Sequence, residues 1–273
     1  MKYKGRGLID KLMVGYIRNI PNHIFKIRFV NWINDLIGGV NLQTSNNATY
    51  NFSTREYIGA EIIYSKAYEP LTLSRCETIL NDGGTFIDIG ANMGLFSIYL
   101  SINPTVKTYS IEPSAENFQN LINNIHLNNL KNITPINIGL SDKDSFGYLN
   151  NVSAGNSGTM RVDENPGNEQ SYLVRLTTLA VIVKELGIKD IDLIKIDVEG
   201  YEMNVFKGFF PNAIRPKNII MEFSDYMSRT GYKMADCYNY FTELGYEAFD
   251  VNGKEYKLNE DLPESNLCWT LKG

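Results

Sequence analysis

Acidic residues placed against short apolar runs are where this chain could do chemistry. Asp88 sits inside Phe86-Ile87-Asp88-Ile89, and Glu112 closes the run Val106–Ile111, 24 residues further on. Asp197 and Glu199 follow the apolar run Ile191–Ile196, and Glu222 falls in the run 218–223. Carboxylates at the tips of buried strands can hold the two hydroxyls of a ribose, accept a proton, or ligate a hard divalent cation. Between Asp88 and Glu112 lies Gly90-Ala91-Asn92-Met93-Gly94, a turn of small residues with permissive backbone that a ligand can approach closely. A helix starting there points unpaired N–H groups at such a ligand. Taken alone, the turn fits a plain strand-to-helix connection equally well. Glu112 at the next strand end favours a nucleoside site.

The elements that must position these groups follow from periodicity. Strands are expected at 86–89, 106–111, 133–138, 191–196, 218–223, 246–251 and 267–271, with an edge strand at 172–176. Helices are expected at 70–80, 92–101, 114–126, 177–186, 199–207 and 233–244. Alternating strands and helices predict a mostly parallel sheet covered on both faces, and two late strands with no helix between them predict an antiparallel pair at one edge. In such a sheet ligands bind beyond the carboxyl ends of the strands. Asp88, Glu112, Asn137, Asp197 and Glu222 would then share one rim. Any one of them could instead cap a helix; together on one rim they point to a site. Lys195, inside the apolar run before Asp197, is expected to pair with one of these carboxylates. Residues 141–170 are rich in Gly, Asn, Ser and Asp, with one short strand expected at 146–149, and read as a polar excursion.

The first 40 residues differ from the rest. Two amphipathic helices are expected, one carrying Leu8, Ile9, Leu12, Met13, Tyr16 and Ile17, the other Phe25, Phe29, Trp32, Ile33, Leu36 and Ile37. Residues 1–40 hold seven Lys/Arg against Asp10 and Asp35, a local charge of +5 in a chain of net −5, so the remainder carries −10. Such helices can pack on the main domain as a lid or dimer contact, or rest peripherally on an anionic membrane surface. Residues 40–55, rich in Asn, Thr and Ser, read as a linker. The division expected is a helical extension and linker at 1–55 and a main domain at 56–273.

Composition narrows the class. With 43% hydrophobic and 12% aromatic residues the chain can bury a large core, and a net charge of −5 with a pI near 5.2 argues against nucleic-acid binding. Cys76, Cys237 and Cys268 have no CxxC spacing and read as reduced thiols; His23 and His126 lack metal-ligand spacing. No signal peptide and no apolar run of membrane-spanning length is seen, so a cytoplasmic location is expected.

Phe86-Ile87-Asp88-Ile89-Gly90-Ala91-Asn92-Met93-Gly94, Ser110-Ile111-Glu112-Pro113-Ser114-Ala115-Glu116-Asn117-Phe118, Ile138-Gly139-Leu140-Ser141 and Lys195-Ile196-Asp197-Val198-Glu199-Gly200-Tyr201-Glu202 together resemble the FkbM family of methyltransferases over roughly residues 56–251. The resemblance implies an α/β fold, the class I methyltransferase (Rossmann-like) three-layer sandwich, whose seven-stranded, mostly parallel sheet has its last strand inserted antiparallel. It implies S-adenosylmethionine as cofactor and methyl transfer, usually to a hydroxyl on a sugar or secondary metabolite. Asp88, Gly90, Ala91, Asn92 and Gly94 then match the first donor-binding motif, Glu112 with Pro113 the ribose-binding position, and Asn137 the strand tip beside the adenine. Glu69 matches an upstream acidic position near the donor, and Asp197, Glu199 and Glu202 match the family's second acidic motif. The chain departs from the pattern at Ala180, where many members have Asp. Residues 1–50 have no recognisable counterpart.

On this reading Asp197 is the first candidate for general base, donor contact or metal ligand, and Glu199 and Glu222 come next as catalytic acids or bases. Asp197 and Glu199 are the candidate ligands for a divalent cation such as Mg. The partner is a small-molecule or glycan acceptor, with the loop at 150–170, including Asn150, Asn151 and Asn156, and the N-terminal helices expected to shape its site. Two other classes remain open: a nicotinamide-dependent oxidoreductase, which would want Gly at position 92, and a non-catalytic nucleoside-binding or partner-binding module on the same fold.

Overall fold

A computed structural model describes residues 4–20, 24–54, 59, 61–63, 67–151, 160–163, 165–167, 169, 171–210, 214–258 and 260–273 of the 273-residue chain. Near the N-terminus, β1 (Lys4–Gly5), β2 (Val40–Gln43) and β3 (Thr49–Phe52) form an antiparallel sheet, with the helices Leu8–Asn19 and Ile24–Ile37 between the first two strands. The stretch read as a linker is therefore largely strand. Its alternation of Val40, Leu42, Tyr50 and Phe52, all fully buried, was masked by the intervening Asn and Thr residues. The expected boundary at 55/56 lies outside the described residues.

The central sheet contains β4 (Gly84–Ile89), β5 (Val106–Ile111) and β6 (Ile133–Ile136) on one side. Two two-residue to seven-residue pieces follow in a separate sheet: β7 (Gly139–Leu140) and β8 (Ser145–Asn151), joined by β9 (Met160–Asp163) and β10 (Tyr172–Thr177) in the order β7-β10-β8-β9. The chain then returns to the central sheet with β11 (Leu193–Ile196), β12 (Asn218–Glu222), β13 (Tyr246–Asp250) and β14 (Asn266–Leu271). The seven strands run β13-β14-β12-β11-β4-β5-β6. Every contact from β12 to β6 is parallel, and β14 runs against both β12 and β13. The antiparallel pair expected at the edge is thus β13–β14, with β14 the reversed strand.

The polar excursion at 141–170 is a correction. It supplies β8 and β9, and the strand expected at 172–176 as an edge pairs on both sides, with β7 and β8. The strands expected at 146–149 and 172–176 are present as β8 and β10. What was missed is β9 and the joining of these strands into one small sheet, because Phe146 and Leu173 point outward and break the alternation that Leu149 and Leu176 would otherwise show. Residues 152–159, with Asn156, lie outside the described residues.

Side chains alternate across the central strands, so each strand feeds two cores. Phe86 faces a cluster holding Met13, Ile17, Val30, Leu73, Phe96 and Leu121 from the N-terminal helices and the helices Pro70–Ile79, Leu95–Ser101 and Ala115–Leu127. Ile87 and Ile89 face the opposite cluster, under the helices Leu179–Glu185, Glu202–Phe209 and Met234–Glu243, where Phe241 stacks on Trp269 and meets Phe206 edge-on. The inward faces of the N-terminal helices share one core with the sheet. Cys76, Cys237 and Cys268 are free and buried in these layers. The strand order reverses beside β4, since β5 lies to one side and β11 to the other, which opens a crevice at their carboxyl ends.

Candidate active site

Two adjacent strand tips make that crevice. Register pairs Asp88 with Lys195 across β4–β11 and with Ser110 across β4–β5. Beyond the last pairs, Asp197 N–H donates to Ile89 O (3.0 Å), while Gly90 and Ala91 N–H both donate to Ile111 O (3.0 and 3.1 Å). The turn is held so tightly that a Cβ on Gly90, at φ +75°, would stand 1.9 Å from Asp197 O. Only glycine fits both the backbone conformation and that approach. Asn92 follows with φ +51°, a left-handed conformation that Asn tolerates, and its side chain accepts from Met93 N–H at 2.7 Å.

Glu112 is set by this turn. One carboxylate oxygen accepts from Asn92 N–H and the other from Ser114 N–H, each at 2.8 Å, with Asn117 adding a side-chain hydrogen bond. Asn137 donates to the carbonyls of Glu112 (2.8 Å) and Pro113 (3.2 Å), bracing the corner from the next strand. Burial pushes the Glu112 carboxyl up to about 7 despite these hydrogen bonds. Three of the four lone-pair sites of the carboxylate are thereby used, and one is left for a further donor.

Lys195 anchors the other half. It is buried, its Nζ donates to Asp197 Oδ2 at 3.2 Å, and it lies 4.7 Å from the centre of the Phe96 ring. Asp197, Glu69 and Asp88 all hold its ammonium charged against the cost of burial. Asp88 accepts from Ser97 N–H (3.1 Å) and Oγ (2.6 Å) through Oδ2, while its buried Oδ1 has no hydrogen-bond partner. Burial raises the Asp88 carboxyl above its usual range. Glu69, with φ +39° at the start of the helix Pro70–Ile79, has a buried, unpartnered Oε2 and a carboxyl likewise raised by burial.

Past Asp197 the chain turns through Glu199 (φ +57°) and Gly200 (φ +95°). Glu202, the first residue of the next helix, closes the turn before it: its Oε1 accepts from Val198 N–H (3.0 Å) and Gly200 N–H (3.2 Å). Tyr201 holds the N-cap position of that helix with no side-chain cap, so neither Asp197 nor Glu199 fills the capping role open to them in the sequence. The Glu199 carboxyl is raised by burial and by the charge of Asp197. Glu222 is pushed up to about 8 by burial, then by Asp197 and Glu202. At the helix Leu179–Glu185, Thr178 Oγ1 accepts from Val181 N–H at 3.2 Å, so a cap is present although Ala180 replaces the acid.

A cleft of about 980 Å³, its mouth included, opens over these groups and is walled by Asp88, Gly90, Ala91, Asn92, Glu112, Pro113, Lys195, Asp197 and Glu199. Of the residues expected from sequence, four stand back from its wall. Gly94 (φ +89°) starts the helix Leu95–Ser101, and a Cβ there would press on Leu121 at 2.5 Å. Asn137 braces the Glu112 corner, Glu69 lies behind Lys195, and Glu222 lies behind Asp197. Sequence reasoning missed Tyr68, Met93, Asn117 and Tyr201 in the wall, and Leu149 and Val162, which the small sheet brings over it. Met93, Asn117 and Tyr201 sit next to or within the quoted motifs. Leu149 falls in the strand expected at 146–149 and Val162 in β9, which was not expected, and neither was tied to the cleft because the pairing of that sheet was unread.

The donor set fits S-adenosylmethionine. Gly90, Ala91 and Asn92 line the cleft, Asp88 with its unpartnered Oδ1 lies in the wall, and Glu112 there has a lone-pair site left. A divalent cation is not matched: among the described residues no group of three or more His, Cys, Asp or Glu could hold a metal ion. Asp197 moreover has Lys195 on one oxygen.

A seven-stranded α/β sheet with its last strand reversed, opening a glycine turn and an acid-tipped neighbour at the switch point, is the fold of class I S-adenosylmethionine-dependent methyltransferases. The chain belongs to the FkbM methyltransferase family: the profile of the methyltransferase FkbM domain matches residues 88–248. It is similar to the AMB antimetabolite synthetase AmbE of Pseudomonas aeruginosa, 28% identical over 215 residues, which is 65% of this chain and 10% of that protein. It is also similar to methyltransferase sdnD of Sordaria araneosa, 29% identical over 184 residues, covering 55% of this chain and 69% of that one. This chain thus spans about a tenth of the first relative and two thirds of the second. Among solved structures, a human methyltransferase 10 domain containing protein aligns at 8% identity with a TM-score of 0.49, covering 93% of this chain and 100% of that one. Family membership sets aside the nicotinamide-dependent oxidoreductase, and Asn92 stands where that class would want glycine. Among the described residues no helix is long and apolar enough to cross a membrane.

Proposed function

We propose that this chain transfers a methyl group from S-adenosylmethionine to a hydroxyl of a sugar, glycan or secondary metabolite. The observation that carries the reading is the convergence of the Gly90 turn, Glu112 and the Asp197–Glu199 turn on one cleft. The donor, when bound, supplies a methyl carbon already activated by a sulfonium and open to in-line displacement. What remains for the protein is alignment, exclusion of water, and acceptance of one proton. Glu112 would hold the ribose hydroxyls, the turn from Gly90 to Asn92 the methionine portion, and Pro113, Ile138 and Leu140 the base. Lys195 fixes Asp197 in place, and Asp197 is the first candidate to take the acceptor's proton. Glu199 is the second, since a carboxyl raised toward neutrality is the better proton acceptor. Glu222 lies outside the cleft wall, and burial with the charges of Asp197, Glu202 and Glu199 favours its protonated form. No metal enters this scheme.

Calorimetric titration with S-adenosylhomocysteine and with NADH tests the donor. Binding of the first alone is expected; binding of neither would overturn the enzyme reading and leave a non-catalytic module. Isotope-labelled donor offered with glycan and small-molecule pools tests the acceptor, and label found only on nitrogen or carbon would refute O-methylation. Activity is expected to survive exhaustive dialysis against EDTA.

A further inference from the structure

We propose that the outward face of the two N-terminal helices docks this protein onto an anionic lipid surface, with both helices lying in the plane of the headgroups. Among the described residues, seven of the eleven exposed large hydrophobic side chains fall between positions 8 and 36: Leu8, Ile9, Leu12, Ile20, Phe29, Trp32 and Leu36. Globular surfaces scatter such residues singly, and a cluster of this kind marks an interaction site.

The cluster is one surface. Leu8 and Leu12 are a turn apart on the first helix and lead to Tyr16; Phe29, Trp32 and Leu36 are spaced three and four apart on the second. Tyr16 meets Phe29 edge-on with ring centroids 5.6 Å apart, and Phe29 lies 6.0 Å from Trp32, so the stripes join. The opposite faces are already spent, with Met13, Val14, Ile17 and Val30 buried in the core. The exposed stripe is therefore surplus to folding.

Charge decides the partner. Lys4, Arg6, Lys11 and Arg28 are exposed around the stripe. Asp10 is buried, accepting from Gly7 N–H (2.8 Å) and Asn41 N–H (3.0 Å), which leaves Asp35 as the exposed acid on these helices. The other two described cations turn inward, Arg18 to the carbonyls of Ile62 and Ile63, and Lys26 to those of Ile17 and Ile20. A basic rim around Leu, Phe and Trp is the composition of an interfacial helix, drawn to anionic headgroups and anchored by its apolar face. A second copy of this chain fits less well, because a two-fold contact sets the patch against itself and brings like charges together. The rest of the chain, at −10, is repelled by the same headgroups, which orients the molecule with its helices down. At 12 and 14 residues neither helix can span a bilayer, so the contact is peripheral.

The chain has two tryptophans, and Trp269 is fully buried, so Trp32 reports on the patch. The full chain is mixed with vesicles of phosphatidylcholine, with and without phosphatidylserine, at low and high salt, and followed by cosedimentation and tryptophan emission. Expected are binding roughly tenfold or more tighter to the anionic vesicles, weakened by salt, with a blue shift of emission. Leu12→Ser/Trp32→Ser/Leu36→Ser is expected to abolish sedimentation, and Lys11→Glu/Arg28→Glu to abolish the preference for phosphatidylserine. Both should keep a cooperative thermal melt, since every changed side chain is exposed. Equal or absent binding to the two vesicle types overturns the proposal. A dimer that the serine variant dissociates, with no vesicle binding, overturns it in favour of a second copy.

Discussion

Replacing Gly90 by Ala tests the geometry at the centre of the cleft, and a second glycine makes it quantitative. Gly187 also has a left-handed backbone, at φ +62°, but a Cβ there meets nothing within 4 Å. Gly187→Ala thus measures the conformational cost alone, about 1–2 kcal/mol for a non-glycine residue forced into that region. Gly90→Ala carries the same cost at φ +75°, and in addition places Cβ 1.9 Å from Asp197 O. To reach even 3.0 Å the tips of β4 and β11 must part by about 1.1 Å, or the turn must leave its hydrogen bonds to Ile111 O. Overpacking of that kind adds about 1–3 kcal/mol. For a chain of this size the melting temperature falls by about 2 °C per kcal/mol, giving roughly 2–4 °C for Gly187→Ala and 4–10 °C for Gly90→Ala. Function should separate them more sharply. The shift lies between the donor-side turn and Asp197, and a misplacement of about 1 Å in a positioned site costs roughly 100-fold. Differential scanning fluorimetry and titration with S-adenosylhomocysteine, run on both variants, read the two quantities. Equal melting shifts together with wild-type affinity in Gly90→Ala would refute the close approach of the tips and the cleft built on it.

Two further tests use the charges. Burial raises Glu112 from the ordinary 4.5 to about 7, so between those values the unfolded chain has released a proton that the folded chain keeps, and stability falls as pH rises through that window. A ribose donates to the ionised carboxylate, so S-adenosylhomocysteine affinity should rise about tenfold from pH 6 to pH 8 with release of a proton; calorimetry in buffers of different ionisation enthalpy reads this, and a Glu112→Gln variant with the same slope would assign it elsewhere. Lys195→Met removes the buried cation shared by Asp197, Glu69 and Asp88 and is expected to cost about 3–5 kcal/mol at neutral pH. Glu69 and Asp88, already raised by burial, can then take up protons, so the loss should shrink toward pH 5, and a loss independent of pH in urea melts would mean that Lys195 acts through packing.

The parts of this fold that alternate cleanly were legible in the sequence. The parallel strands are near-continuous apolar runs because both faces are covered, and Glu112 was visible because an acid ending such a run has few structural reasons to be there. The small sheet was hidden for the opposite reason. With Gly147 facing Leu176 and Val162, and Asn150 turned inward to accept from Gly167 N–H and to donate to Asp163, its buried side mixes Gly and Asn with Leu149 and Leu176, while Phe146 and Leu173 stand exposed, so alternation does not show how its strands pair. The roles of Asp197, Glu199 and Glu202 could not be told apart in the sequence: three acids in six residues look interchangeable along a chain, and the left-handed turn at Glu199 and Gly200 sends Glu202 back to the amides of Val198 and Gly200 while Asp197 and Glu199 line the cleft.

That division of labour has an electrostatic consequence. Asp88, Glu112, Asp197 and Glu199 wall the cleft, and Lys195 is the cation that shares the wall with them. Burial holds Asp88, Glu112 and Glu199 above their usual range, which is the mark of carboxylates lacking sufficient positive charge or hydrogen-bond donors nearby. Packing alone does not call for this; an apolar wall would cost less. A ligand that brings both a cation and hydroxyl donors into the cleft relieves the cost at each position, and the sulfonium, ammonium and ribose of the proposed donor carry those groups. The same carboxylates that destabilise the ligand-free protein at neutral pH would then supply its selectivity for a cationic nucleoside over a neutral or anionic one. Affinity for S-adenosylmethionine should accordingly exceed that for its uncharged thioether product once the acids are ionised, and equal affinities at pH 8 would show that the wall does not sense the sulfonium.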